Sequence, residues 1–359
     1  MLPLPFNYGA NAQIGSIPVY FAVGYRVKKM DRMTEQKRFL GTLQGKETDR
    51  FSFFDLEPEE RTLERWIREG YPQKLSFAEA FDLEPHYSVG LMLRSAPFFR
   101  MATDLLHDPS AFDRHYDPDD PARYEKDFVK KAHKLRQEGR VLYVDASGGG
   151  FLQMLGVGDW KSLLAACDAM INEPKRVEDL VSRTTDFYCT CLERVLSRVS
   201  VDYASFYEPI ASNHGPVISP EMFKRYAIPG YRKVISLLDK YNVPLRVFCA
   251  TGGDLTSILS LMVDAGINVL WLSNIAVTSM KYISLRNYFG DAISLIGGIN
   301  AGSLAQDETT LKSEIENTVL PLLDKGRYLP CLDDRPRANV SYSQYRLYRQ
   351  ILAELAGRG

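Results

Sequence analysis

The sequence has no excess of charge of either sign. Its 359 residues include 44 Lys or Arg and 45 Asp or Glu, giving a net charge of −1. This balance disfavours nucleic acids and anionic membranes as partners, because both attract strongly basic surfaces. No apolar run approaches the roughly 20 residues that a membrane-spanning helix needs. We therefore expect a protein that does not span a membrane.

Cysteine is also scarce. The five cysteines are odd in number and show no spacing typical of a disulfide framework. The first residues, Met-Leu-Pro-Leu-Pro-Phe, lack the basic start and apolar core of a signal peptide. Reduced thiols without a secretion signal predict a cytoplasmic protein.

Strand and helix patterns alternate through most of the chain. The clearest unit is an apolar strand over residues 244–249, which ends at Cys249, turns at two glycines and continues as an amphipathic helix over residues 254–264. Strands separated by helices predict a parallel sheet, and their number favours a (β/α)8 TIM barrel of the α/β class. We expect one domain over residues 1–359, with residues 1–32 as an extension packed on the barrel. The other predicted strands cover residues 50–54, 141–145, 201–207, 267–272, 292–297 and 327–331, with a further possibility at 89–93.

Polar and thiol groups stand at the ends of these predicted strands. In a barrel such positions converge on one cavity at the carboxyl rim, although they lie far apart in sequence. The rim is therefore where we expect the chemistry. The residues concerned are Asp55, Asp145, Glu208, Cys249, Asn274, Asn300, Cys331, Asp333 and Asp334.

Three of these residues could bind a metal. Cys249, Cys331 and Glu208 would give two thiolates and a carboxylate, which suits tetrahedral zinc with one open position. The alternative stays open, because free cysteines are common buried residues and this spacing is not a compact metal motif. His214, on the loop after residues 201–207, is either a rim acid or base or a solvated loop residue.

Several segments resemble the uroporphyrinogen decarboxylase superfamily. One begins with Ser219-Pro-Glu-Met222 and another is Tyr328-Leu-Pro-Cys-Leu-Asp-Asp334. The resemblance covers about residues 33–355 and implies a (β/α)8 barrel with its site at the carboxyl rim. The segments that carry it are residues 38–50, 219–235, 243–248, 264–270, 297–300 and 328–334.

The superfamily has two well-known branches, and the sequence departs from both. True decarboxylases follow their first strand with a basic segment that binds substrate carboxylates, whereas residues 54–60 here are acidic. A polyanionic porphyrinogen is therefore disfavoured. The zinc methyltransferases use His-x-Cys after one strand and Cys after the last. By resemblance, Cys249 takes the histidine position, Thr251 the first cysteine position and Cys331 the last, and Glu208 could complete the set.

The resemblance favours a corrinoid-dependent methyltransferase. Such an enzyme would move a methyl group from a small substrate, such as an aryl methyl ether or a methylamine, to a separate corrinoid protein. Zinc would act as a Lewis acid on the heteroatom. His214 would donate a proton to the leaving group, Asn274 and Asn300 would orient the substrate, and Asp333 is a further candidate at the rim.

Two other functions remain open. One is a metal-free decarboxylase in which Asp55 or Asp145 stabilises a cationic pyrrole. The other is a non-catalytic barrel that binds a tetrapyrrole or a corrinoid. A homodimer is one assembly that the sequence allows.

Overall fold

Parallel strands form the centre of the protein. The computed structural model describes residues 32–93, 112, 116–147, 150–157, 159–212, 215–250, 253–273 and 281–357. Within these ranges, seven strands pair in chain order as one parallel sheet, and a short antiparallel hairpin (β4, Ala211–Ser212; β5, Gly215–Pro216) stands apart from it. The seven strands are β1 (His86–Ser88), β2 (Val141–Asp145), β3 (Tyr203–Glu208), β6 (Leu245–Ala250), β7 (Val269–Leu272), β8 (Ser294–Ile299) and β9 (Tyr328–Leu332).

Helices connect the strands and cover the outside of the curled sheet. Parallel strands with helices between them confirm the predicted (β/α)8 TIM barrel. None of the described helices has both the length and the apolar character needed to cross a membrane. The helices are α1 (Glu35–Gln44), α2 (Glu60–Arg68), α3 (Phe77–Phe81), α4 (Phe128–Gln137), α5 (Phe151–Met154), α6 (Trp160–Asn172), α7 (Pro174–Leu196), α8 (Pro220–Met222), α9 (Ile228–Lys240), α10 (Thr256–Asp264), α11 (Tyr282–Phe289), α12 (Glu308–Lys325) and α13 (Tyr342–Leu355).

A small apolar cluster fills the lower interior of the barrel, and α1 closes its amino end. Phe39 and Leu43 of α1 belong to this cluster, and the Ser294 hydroxyl at the start of β8 donates to the Leu43 carbonyl over 2.5 Å. The buried strand residues of the cluster are Val141, Tyr203, Leu245, Val247, Val269, Ile296, Leu329 and Cys331.

The first predicted strand, residues 50–54, does not form a ladder strand. The segment nevertheless lies between β9 and β1: the Phe53 carbonyl accepts from the Glu84 amide over 2.7 Å. On its other side the Asp55 side chain, not its backbone, accepts from the Leu332 amide over 2.9 Å. Side-chain bonding therefore replaces ladder pairing where an eighth strand would stand.

Two further predictions need correction in detail. The strand expected at residues 89–93 lies earlier, at β1, where the chain pairs with β2 from His86 onwards. The sequence also predicts a helix from the Ser219 cap with a kink at Pro229; the structure instead has a π turn over Phe223–Ala227 that leads into α9, with Pro229 in the first turn of α9. A π turn absorbs the proline without breaking the helical path.

Candidate active site

The upper interior of the barrel, called the cavity below, is lined by inward side chains that are only partly buried. Along β2, β3, β6 and β7 the side chains that face the helices are buried, apart from the half-buried Arg246, whereas inward residues near the carboxyl ends keep some exposure. This pattern follows from the alternation of strand side chains combined with the opening at the rim. We call this set the mouth residues: Asp145, Ser205, Tyr207, Cys249 and Trp271.

An aromatic–thiol–aromatic row crosses the mouth. Tyr207, Cys249 and Trp271 are direct register partners on three neighbouring strands. One layer deeper, the Ser205 hydroxyl lies 3.6 Å from the Cys249 sulfur. The thiol is therefore flanked by two aromatic side chains and lies above a hydroxyl.

Asp145 brings a carboxylate to the same cavity. It ends β2 opposite Ser205, and its Oδ1 accepts from the Ser147 amide over 2.9 Å. The Ser147 hydroxyl in turn accepts from the Tyr207 amide over 3.2 Å. The local bond at Ser147 and its second bond across to β3 fix Asp145 relative to Tyr207.

The floor of the cavity holds residues that the sequence did not single out. The His86 Nδ1 lies 3.0 Å from the Tyr203 hydroxyl, and the ring stacks on Phe54 with centroids 4.2 Å apart. Tyr143 stacks on Tyr203 with centroids 4.9 Å apart. Burial lowers the pKa of His86 to about 3, so the imidazole stays neutral. Among the described residues its Nε2 has no hydrogen-bond partner.

Glu208 does not face the cavity. Because β3 continues through Glu208, this side chain follows the inward Tyr207 and points to the helix layer, where it is fully buried. It accepts from the Tyr231 hydroxyl over 2.7 Å and from the Phe151 amide at the start of α5. Burial raises its pKa to about 7, against the lowering effect of these bonds.

The predicted zinc ligands are consequently split between two faces of the sheet. Cys249 and Cys331 face the interior, but β7 and β8 lie between their strands, and Glu208 is on the other side. Burial, and secondly the charge of Asp55, holds the pKa of the Cys331 thiol well above its usual range. Within the described ranges no three His, Cys, Asp or Glu side chains are grouped to hold a metal ion. These residues do not fit the zinc site that the resemblance implied.

The remaining predicted site residues divide into two groups. Asp333 is buried and accepts from the Ala301 amide over 2.9 Å, and Asn300 accepts from the Gly302 amide over 2.8 Å, so both hold the turn after β8. His214 and Asn274 lie outside the described residues, as does Thr251.

The hairpin β4–β5 packs beside the carboxyl end of β6. Gly253, in the turn after Cys249, has a φ of +88°, and a Cβ there would lie 1.9 Å from the Ser212 carbonyl oxygen. Only glycine permits this approach. The hairpin and the turn after Cys249 are thus seated directly against each other.

The family of the chain follows from its sequence. The sequence model of the uroporphyrinogen decarboxylase (URO-D) family matches residues 105–329, well over half of the chain. The protein therefore belongs to the URO-D family, whose superfamily is enzymatic, and the predicted resemblance is confirmed at that level. No curated protein matches the chain.

Proposed function

We propose that this URO-D family protein is a methyltransferase that takes a methyl group from a small methylated ammonium compound and passes it to a corrinoid protein. The observation that carries the proposal is the composition of the mouth: one carboxylate, Asp145, with the aromatic side chains of Tyr207 and Trp271. Aromatic faces with a carboxylate suit a methylated cation, because the ring quadrupole and the negative charge both attract it.

The charge of the interior argues against the decarboxylase alternative. None of the inward-facing residues on the described strands is Lys or Arg. A polyanionic porphyrinogen would meet Asp145, and no inward residue of these described strands carries a compensating positive charge. Asp55, the other carboxylate considered for that chemistry, is engaged by Arg349 at 2.9 Å. A cationic or neutral substrate fits this interior better.

A methylated ammonium substrate also suits the described residues, among which no zinc ligand set is grouped. When an aryl methyl ether loses its methyl group, the leaving group is a phenoxide. Its negative charge must be stabilised by a Lewis acid or a proton donor. When a methylated ammonium compound loses a methyl group, the leaving group is a neutral amine. The electron pair of the breaking C–N bond stays on nitrogen and cancels its positive charge. The bound corrinoid would supply the nucleophile that accepts the methyl group.

The residues of the mouth then have distinct tasks. Asp145 holds the positive charge of the substrate, and Tyr207 and Trp271 bind its methyl groups and exclude water. Once the amine is neutral, its attraction to Asp145 disappears, which favours release. The neutral His86–Tyr203 pair lets the floor remain uncharged beneath the cation.

The binding step can be tested with tetramethylammonium as the probe. We expect the wild-type protein to bind it by calorimetry, and Asp145→Asn or Trp271→Leu to weaken binding by about tenfold, equivalent to about 1.4 kcal/mol. Asp291→Asn changes an exposed carboxylate away from the mouth and should leave binding unchanged.

The transfer step needs a separate assay. Free cob(I)alamin can serve as the acceptor, with methylation followed by absorbance and the demethylated amine followed by mass spectrometry. A wild-type protein that neither binds methylated ammonium compounds nor demethylates them, but decarboxylates a pyrrole carboxylate, would overturn the proposal.

A further inference from the structure

The two halves of the cavity differ in polarity. On β1 to β3 the inward side chains include the Asp145 carboxylate and two hydroxyls, those of Ser205 and of Ser88, the register partner of Tyr143. On the described strands β6 to β9 the inward side chains are apolar groups, thiols or an indole, apart from Ser294 at the amino end. A ligand in the upper cavity therefore meets hydroxyl groups on one side only, and that side also carries the negative charge.

Ser205 lies level with Asp145. The two residues are direct register partners on β3 and β2, so their side chains point to the same side of the sheet, on strands about 4.8 Å apart. Among the described residues the Ser205 hydroxyl has one polar neighbour, the Cys249 sulfur at 3.6 Å. A hydroxyl offers one donor and two acceptor positions. This single contact therefore leaves Ser205 able to bond a ligand.

The ligand group that suits Ser205 is neutral. A carboxylate at this place would lie beside Asp145, and none of the inward residues on the described strands is Lys or Arg. A charge removed from water without a partner costs far more free energy than a hydroxyl that keeps a hydrogen bond. The surroundings of Ser205 therefore favour a hydroxyl over a carboxylate.

We propose that the substrate is a methylated ammonium compound with a hydroxyl two carbons away from its nitrogen, and that Ser205 binds this hydroxyl. The inference rests on the proposed function, because Asp145 must hold the ammonium group. In the staggered conformations of an N–C–C–O chain the nitrogen and the oxygen are about 3–4 Å apart, so one molecule can contact both side chains. The hydroxyl then points to β3, and the N-methyl groups contact Trp271 on β7.

Two ligands of nearly equal size test the role of the hydroxyl. Choline and propyltrimethylammonium differ only in that the hydroxyl of the first is a methyl group in the second. We expect calorimetry to show that the wild-type protein binds choline about fivefold more tightly, as one net hydrogen bond allows. Glycine betaine, which carries a carboxylate instead of the hydroxymethyl group, should bind more weakly than choline.

The preference should depend on one serine. Ser205→Ala should bind choline and propyltrimethylammonium with equal affinity, whereas a general disturbance of the mouth would weaken both and preserve their ratio. Ser88→Ala is the matched control. It removes another inward hydroxyl, which lies opposite Tyr143 and one inward position below Asp145, and it should keep the wild-type ratio.

The same measurements separate a failure of this inference from a failure of the proposed function. Suppose that tetramethylammonium binds the wild-type protein, but choline and propyltrimethylammonium bind alike, or Ser88→Ala rather than Ser205→Ala removes the preference. The assignment of Ser205 is then overturned, although the proposed function stands. If none of these ammonium compounds binds, the proposed function fails and this inference fails with it.

Discussion

At the scale of single residues, buried carboxylates show how environment decides role. Asp55 is bonded by Arg349, by the hydroxyls of Tyr345 and Tyr348 and by the Leu332 amide, so it joins α13 to the end of β9. Burial raises its pKa, against the opposing charge of Arg349. A carboxylate with all these partners is a structural group, although its position at the end of a predicted strand suggested chemistry.

Removing Asp55 should destabilise the fold strongly. We expect Asp55→Ala to lower the free energy of unfolding by about 3–5 kcal/mol, because Arg349 would be left as an uncompensated buried charge. Urea denaturation measures this. Lys312→Met breaks the exposed pair with Glu354 and should change stability by no more than about 1 kcal/mol. Equal effects of the two changes would refute the structural role of Asp55.

Glu208 should make stability depend on pH in a defined window. Its pKa is raised from 4.5 to about 7 by burial, so the folded protein holds this proton more tightly than the unfolded chain. The stabilisation is complete below pH 4.5 and is lost as pH rises to about 7. Glu208→Gln should therefore gain stability relative to wild type across this window, by on the order of 3 kcal/mol.

Unfolding of both proteins at pH 4.5, 6 and 8 provides the measurement. The comparison cancels other titrating groups, including His86, which both proteins share. If the difference in unfolding free energy between Glu208→Gln and wild type stays constant with pH, Glu208 has the same pKa in the folded and the unfolded protein.

At the scale of elements, strand direction explains what the sequence could and could not predict. The sheet strands β2, β3 and β6 to β9 were predicted within about two residues, because each is a short apolar run between turn signals, whereas the hairpin strands β4 and β5 were not predicted. Glu208 was placed at the rim because the predicted strand ended one residue earlier, at residue 207, whereas β3 continues through Glu208. Its extension by that residue reverses the face of the side chain, since strand side chains alternate.

His86 was missed for a related reason. The irregular sequence between residues 84 and 93 did not reveal β1, so nothing indicated that this histidine points into the barrel. By contrast, Cys249 and Cys331 were placed correctly at strand ends because their strands are regular. The grouping of Cys249 with Tyr207, Trp271 and Asp145 depends on the sheet register, which no local pattern contains.

The contact between the hairpin and the turn after β6 should be sensitive to one methyl group. We expect Gly253→Ala to displace the hairpin, since its Cβ would overlap the Ser212 carbonyl, and to weaken tetramethylammonium binding as well as stability. Gly290→Ala is the matched control: its φ is also positive, at +55°, but nothing lies within 4 Å of the added Cβ. It should cost only backbone strain, about 1 kcal/mol. If Gly253→Ala and Gly290→Ala change tetramethylammonium binding equally, the contact between Gly253 and the hairpin does not support the mouth.

At the scale of the whole molecule, the residues that the structure describes give the barrel an open end and a closed end. Phe39 and Leu43 of α1 fill the amino end, and the mouth residues lie at the other. A small substrate and a large methyl acceptor would therefore use the same entrance. Once a protein covers that entrance, nothing beneath it can exchange with solvent. For the proposed methyl transfer we therefore predict a compulsory kinetic order, in which the small substrate binds first and its demethylated product leaves last.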